Sequence, residues 1–217
     1  MTRKSELYFQ HESFLDILLK DQMFFDRIFH DTKSFKQFRE KMNKEIKECS
    51  SIYASSGKSI LEFVGDVFEI FAEAFFKSLH SDNRVGIYQF LPEKKALDNG
   101  VDGYGLGIDG LPATVQVKFR SNSSEQLVER DLKQFVAQSI IKYDVNKDTN
   151  TNMIVFTNAA GIHWHTKGDV FCERIRAISG NQIQQLIDNN SGFWYSVNQI
   201  LELSKIQYFG NSNMEKK

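Results

Sequence analysis

The stretch VDGYGLGIDGLPATVQVKF, residues 101–119, decides how this chain is read. Asp109-Gly110 is a strong turn dipeptide with strand-like sequence on both sides, which predicts a β-hairpin with arms at residues 101–108 and 114–119. A turn there sets Asp102 opposite Gln116 or Val117. Gln116 and Lys118 stand two apart on one arm and share a face, while Val115 and Val117 turn toward a core. An acid, an amide and an amine thus meet at one end of an otherwise apolar hairpin. Because unpaired polar burial is costly, that trio needs a reason.

Working outward, residues 59–79 predict a long helix with Ser59 as N-cap and Glu62 at the capping-box position. Its apolar residues cover most of the girth, so the helix is expected to be buried and its acids Glu69 and Glu73 stand out. Residues 85–91 read as a strand closed by Pro92, and residues 125–143 as a helix. Residues 153–157 and 174–178 read as strands, with a helix near 168–173 between them. Helices are expected at 181–187 and on to about 203. Helices alternating with strands predict an α/β fold with a mixed central sheet flanked by helices. Residues 1–50 carry apolar residues at helical spacing (Phe14, Leu15, Leu18, Leu19; Phe24, Phe25, Ile28, Phe29; Phe35, Phe38, Met42) and predict an added N-terminal helical layer.

The trio suits phosphodiester hydrolysis. Carboxylates and neutral oxygens hold Mg²⁺, which favours oxygen ligands and lowers the pKa of a bound water. A nearby lysine can orient the nucleophile or offset charge on the phosphate. Asp98-Asn99-Gly100-Val101-Asp102, followed by Gln116-Val117-Lys118, resembles the D-x-G-(V/I)-D … Q-x-K signature of Mrr-like restriction endonucleases of the PD-(D/E)XK superfamily. It is similar in particular to the nuclease domain fused to restriction-type helicases. Gly65-Asp66-Val67-Phe68-Glu69 has the spacing of that family's G-x-x-F-E helix element. Residues 154–158 (IVFTN) and 174–186 (RIRAISGNQIQQL) resemble its later strands and closing helix.

The resemblance spans about residues 57–190 and implies a restriction-endonuclease-like core over 51–190, preceded by a helical extension over 1–50 and followed by a helix and tail over 191–217. It implies that Asp102 is the central metal ligand and Glu69 completes the acidic set, with Glu62 and Glu73 as alternatives. Gln116 stands where most of the superfamily has a carboxylate, Val117 lends its carbonyl, and Lys118 is the catalytic lysine. The expected cofactor is Mg²⁺, with Mn²⁺ as a substitute. The expected function is a DNA endonuclease acting on double-stranded DNA, as a homodimer if both strands are cut. A catalytically silent DNA-binding module and a structure-specific or RNA nuclease are the alternatives.

Arg120, Ser121, Asn122 and Lys133 are candidate DNA contacts after the active strand. Two other patterns carry less. Gly57-Lys58-Ser59 lacks the glycine that a phosphate-binding loop needs at Ile52, so no nucleotide cofactor is expected. His163 and His165 share a strand face but have no third ligand nearby. The chain has 27 Lys and Arg against 28 Asp and Glu, a formal net charge of −1, so any grip on phosphates must be local rather than global. Two cysteines far apart, Cys49 and Cys172, argue against a disulfide framework. With no membrane-length apolar run, a cytoplasmic protein is expected.

Overall fold

The computed structural model describes residues 7–48, 52, 54, 57–94, 100–145, 152–164 and 175–210. Asp98, Asn99, the helix expected near 168–173, His165, Arg174 and both cysteines lie outside the described residues. Helices α1 (Glu12–Lys20), α2 (Phe24–Phe29) and α3 (Phe35–Glu48) form the N-terminal layer, and α4 (Ile60–Ser78) is the long central helix. Strands β1 (Ile87–Pro92), β2 (Gly103–Gly107) and β3 (Pro112–Lys118) follow. Then come β4 (Leu127–Val128), a 3₁₀ turn (Glu129–Leu132), α5 (Lys133–Ile141), β5 (Met153–Thr157), β6 (Ile162–His163) and β7 (Ile175–Ile178). Helices α6 (Gly180–Ile187) and α7 (Ser191–Phe209) close the chain. None of the described helices is long and apolar enough to cross a membrane.

Five strands make one mixed sheet in the order β1-β2-β3-β5-β7. The β1–β2 and β2–β3 pairs are antiparallel, whereas β3–β5 and β5–β7 are parallel. This is the α/β arrangement with a mixed, helix-flanked sheet that the residue pattern implied. Strand alternation divides two cores. Ala113, Val115 and Val117 join a large cluster under α4, while Val101, Leu132, Phe135 and Val155 form a smaller one under α5.

Helix α4 starts where expected: Ser59 Oγ accepts the Glu62 N–H, and the Glu62 carboxylate accepts the Ser59 N–H at 2.7 Å. Its aromatic face lies on the sheet, with Phe75 4.9 Å from Phe156 between ring centroids. The opposite side packs under the N-terminal layer, where Phe38 stacks on Phe71 at 4.0 Å. Phenylalanines of both layers therefore belong to one buried cluster.

Two expected elements differ. Residues 125–143 are not one helix, because Leu127 N–H donates to the Gly161 carbonyl at 2.9 Å and residues 127–128 pair in parallel with β6. Tertiary pairing overrides helix propensity there, and the helix begins only at Lys133. The last helix runs past residue 203 to Phe209, because Ser204 Oγ accepts the Phe9 N–H and Tyr208 OH donates to the Phe9 carbonyl.

Candidate metal and phosphodiester site

The hairpin turn forms at Asp109-Gly110, with Gly110 at φ +75° and the Leu111 N–H donating to Asp109 Oδ1 at 3.0 Å. From it the register runs Leu106↔Pro112 to Gly103↔Val115, so Asp102, the residue before β2, reaches the Val115–Val117 stretch of β3. Asp102 sits at the mouth of the hairpin. Its N–H donates to the Val115 carbonyl and its carbonyl accepts the Glu93 N–H, both at 2.9 Å. Its carboxylate Oδ2 accepts the Val117 N–H at 2.6 Å, a position that a further ladder residue would otherwise fill. A strand residue's N–H and C=O lie on the same edge, so the Val117 carbonyl also faces the Asp102 side.

Gln116 is 2% exposed and faces the α5 side together with Thr114, whose hydroxyl meets Ser139 Oγ at 2.7 Å. Its Oε1 is buried and has no hydrogen-bond partner among the described residues. Gly100 (φ +88°) makes this packing possible: a Cβ there would stand 3.1 Å from the Phe135 amide nitrogen and 3.5 Å from Gln116 Nε2. Lys118, half-buried, ends β3 on the same face, and no ion pair engages it among the described residues.

The end of β3 is held from β5. Thr157 Oγ1 donates to the Lys118 carbonyl at 2.6 Å. Asn158, 2% exposed, accepts the Arg120 N–H and donates to the Arg120 carbonyl, both at 2.7 Å. The Asn158 amide thus copies a neighbouring strand's peptide and clamps the chain just past the lysine. Sequence reading singled out the IVFTN segment but not this residue. An Asn directly after a buried strand is the signal that would have found it.

Glu69 lies apart from this group of contacts. Its Oε2 is 2.7 Å from His11 Nε2, and its side chain is 23% exposed. The two alternative helix acids are also engaged: Glu62 in the cap, and Glu73 by the Gln10 and His11 N–H groups and by Lys77 Nζ at 2.7 Å. Among the described residues no three His, Cys, Asp or Glu side chains converge as a metal-binding group. The structure therefore brings together Asp102, Gln116, Val117 and Lys118, and gives Glu69 a partner in the N-terminal segment.

Of the candidate DNA contacts, Arg120 pairs with Asp131 at 2.6 Å. Ser121 and Asn122 are exposed in the loop that follows, where Asn122 caps the Ser124 N–H. Lys133 is exposed at the start of α5, on the rim of a cavity of about 370 Å³ lined by Leu132, Val136, Ile140 and Trp164. His163 is exposed on β6. The loop lysine Lys58 is bonded to Asp66, which gives it a structural role. No protein-family model matches the chain, and no curated protein matches it at a significant level.

Proposed function

We propose that this protein is a metal-dependent endonuclease that hydrolyses DNA phosphodiester bonds at the mouth of the β2–β3 hairpin, within a restriction-endonuclease-like core. The observation that carries the reading is the Gln116 Oε1 atom. A buried acceptor without a donor costs about 1–3 kcal/mol, and a native protein retains such an atom where a ligand, ion or water completes it. Gln116 itself sits next to Val117, whose N–H holds the Asp102 carboxylate, and two residues before Lys118, an amine that no ion pair engages among the described residues. Asp102, the Val117 carbonyl and Gln116 form an all-oxygen donor set, the type that Mg²⁺ prefers. Bound there, the cation would offset charge developing on the phosphate and acidify a water.

The remaining roles belong to the chain's own groups. The Lys118 ammonium would orient the attacking water or hold a phosphate oxygen as negative charge accumulates. Asp102, tied to the Val117 N–H, would fix the donor geometry before substrate arrives. Asn158 would keep Lys118 and Arg120 in place. A homodimer would supply the second centre for cutting both strands.

Incubation of the purified protein with plasmid and Mg²⁺ or Mn²⁺, beside Asp102→Ala and Lys118→Ala, tests the proposal. Nicked or linear product from wild type and its loss in both variants is the expected result. Equal cleavage by all three would point to a contaminant and end the proposal. A second reading, a DNA-binding module without cleavage, is favoured by the neutral Gln116 and by the engagement of Glu69 with His11. Duplex binding without product by wild type and variants alike would select it.

A further inference from the structure

The N-terminal layer touches the surface that follows the candidate lysine. Arg39 of α3 reaches across to the loop after β3, where its Nη1 donates to Ser123 Oγ at 3.2 Å. Its Nε is buried without a hydrogen-bond partner among the described residues. Phe35, Phe38, Met42 and Ile46 bury one side of α3. Lys36, Arg39, Asn43 and Lys47, at positions i, i+3, i+7 and i+11, form a stripe beside that buried side. Lys36, Asn43 and Lys47 are exposed.

Charge on this helix is uneven. It carries five basic residues and three acidic ones, and one of the acids, Glu45, is buried against Arg27 at 2.6 Å. Among the described residues Glu40 is the one acid ion-paired with the stripe, at 3.9 Å from Lys36, and both partners are exposed, so water screens the pair. A 14-residue helix is about 21 Å long, enough to follow a duplex backbone past several phosphates. The chain as a whole has no cationic surplus, so a local ridge is the form that phosphate binding must take.

We infer that α3 is a backbone-binding ridge for duplex DNA, with Lys36, Arg39 and Lys47 contacting phosphates while the Ser121–Asn122 loop, joined to it through Arg39 and Ser123, carries the same strand toward Lys118. This inference rests on the nuclease reading for its substrate, yet it concerns residues outside the core that carries that reading. The phosphate contacts release counterions, so each contributes about 0.9 to the slope of log affinity against log salt.

The test is fluorescence anisotropy with a short DNA duplex in EDTA, so that binding is read without cleavage, over a series of salt concentrations. The full-length chain is compared with the Lys36→Gln/Arg39→Gln/Lys47→Gln variant and with Arg84→Gln, which removes a cation at the opposite end of the sheet. The ridge predicts weaker binding by the triple variant and a salt slope shallower by about two to three, with Arg84→Gln unchanged. If the triple variant unfolds, Lys36→Gln/Lys47→Gln, which alters exposed side chains alone, carries the same expectation with a slope change of about two. Wild-type affinity and slope in the folded variants would overturn the ridge and leave the nuclease reading standing. Duplex binding that depends on the ridge, with no plasmid cleavage by wild type, would support the ridge and sink the nuclease reading. No duplex binding by the wild-type chain in EDTA would overturn the ridge, and plasmid cleavage by that same chain with Mg²⁺ would leave the nuclease reading standing.

Discussion

At Gln116, shape and solvation are in conflict: the side chain packs against the space beside Gly100 while its buried Oε1 finds no donor among the described residues. Gln116→Glu sharpens the conflict, because a carboxylate in that position is disfavoured as an anion unless a cation faces it. Thermal melts should show the variant less stable than wild type in EDTA. Mg²⁺ should raise its Tm by more than it raises that of wild type, since binding to the folded state adds stability by mass action. No Mg²⁺ response in either protein would count against a metal at this position. Asn158 offers a second residue-level test. Asn158→Ala leaves the Arg120 N–H and carbonyl without their buried partners, at a cost of about 1–3 kcal/mol in denaturant unfolding. Cleavage should fall further than in Asn158→Asp, which keeps the acceptor for the Arg120 N–H. Equal activity in the two variants would deny the clamp a part in placing Lys118.

Among the elements, α4 makes a prediction about pH. The Ser59 N–H bonded to the Glu62 carboxylate holds that acid below its ordinary range. A folded-state pKa below the unfolded one contributes stability that is present above the ordinary carboxylate range and is lost as pH falls through the lowered value. The Tm difference between wild type and Glu62→Gln should therefore be clear at neutral pH and shrink as the solution is acidified past that range. A difference that stays constant with pH would deny the capping carboxylate its charge-dependent role.

This cap was legible in the sequence because its partners are three residues apart, and the hairpin was legible because turn and alternation are local signals. The elements that misled are those set from a distance. Residues 127–128 are strand because Gly161 supplies an acceptor, and α7 extends because Phe9 offers Ser204 and Tyr208 their partners. At Glu69, G-x-x-F-E spacing could not disclose the histidine partner 58 residues upstream.

Over the whole molecule, the N-terminal layer and the sheet share one core, so neither is expected to unfold alone. The Trp194 ring, buried beside Phe193, and the far-UV signal of the helices should report a single coincident transition. Two separated transitions would show the layers to be independent. The pair that ties them is Glu73 with Lys77, both buried, which also holds Gln10 and the Tyr8 carbonyl. Glu73→Ala leaves a buried ammonium short of its counter-charge, so a loss of about 3–5 kcal/mol is expected in denaturant unfolding. A loss below about 1 kcal/mol, the range of exposed pairs, would mean that water reaches the lysine.

The Asn158 clamp has a consequence for how such a protein could diversify. Arg120 is fastened by both faces of its peptide, and Ala160 N–H fastens the Glu125 carbonyl on the far side of the loop at 3.0 Å. Residues 121–124 therefore span two anchored posts, with Ser123 touched between them by Arg39. Their sequence and length can drift, or be replaced by design, without dragging the amine of Lys118 from its place. On the nuclease reading proposed above, chemistry and target preference would thereby be separable traits, one kept by the posts and the other open to change in the span between them.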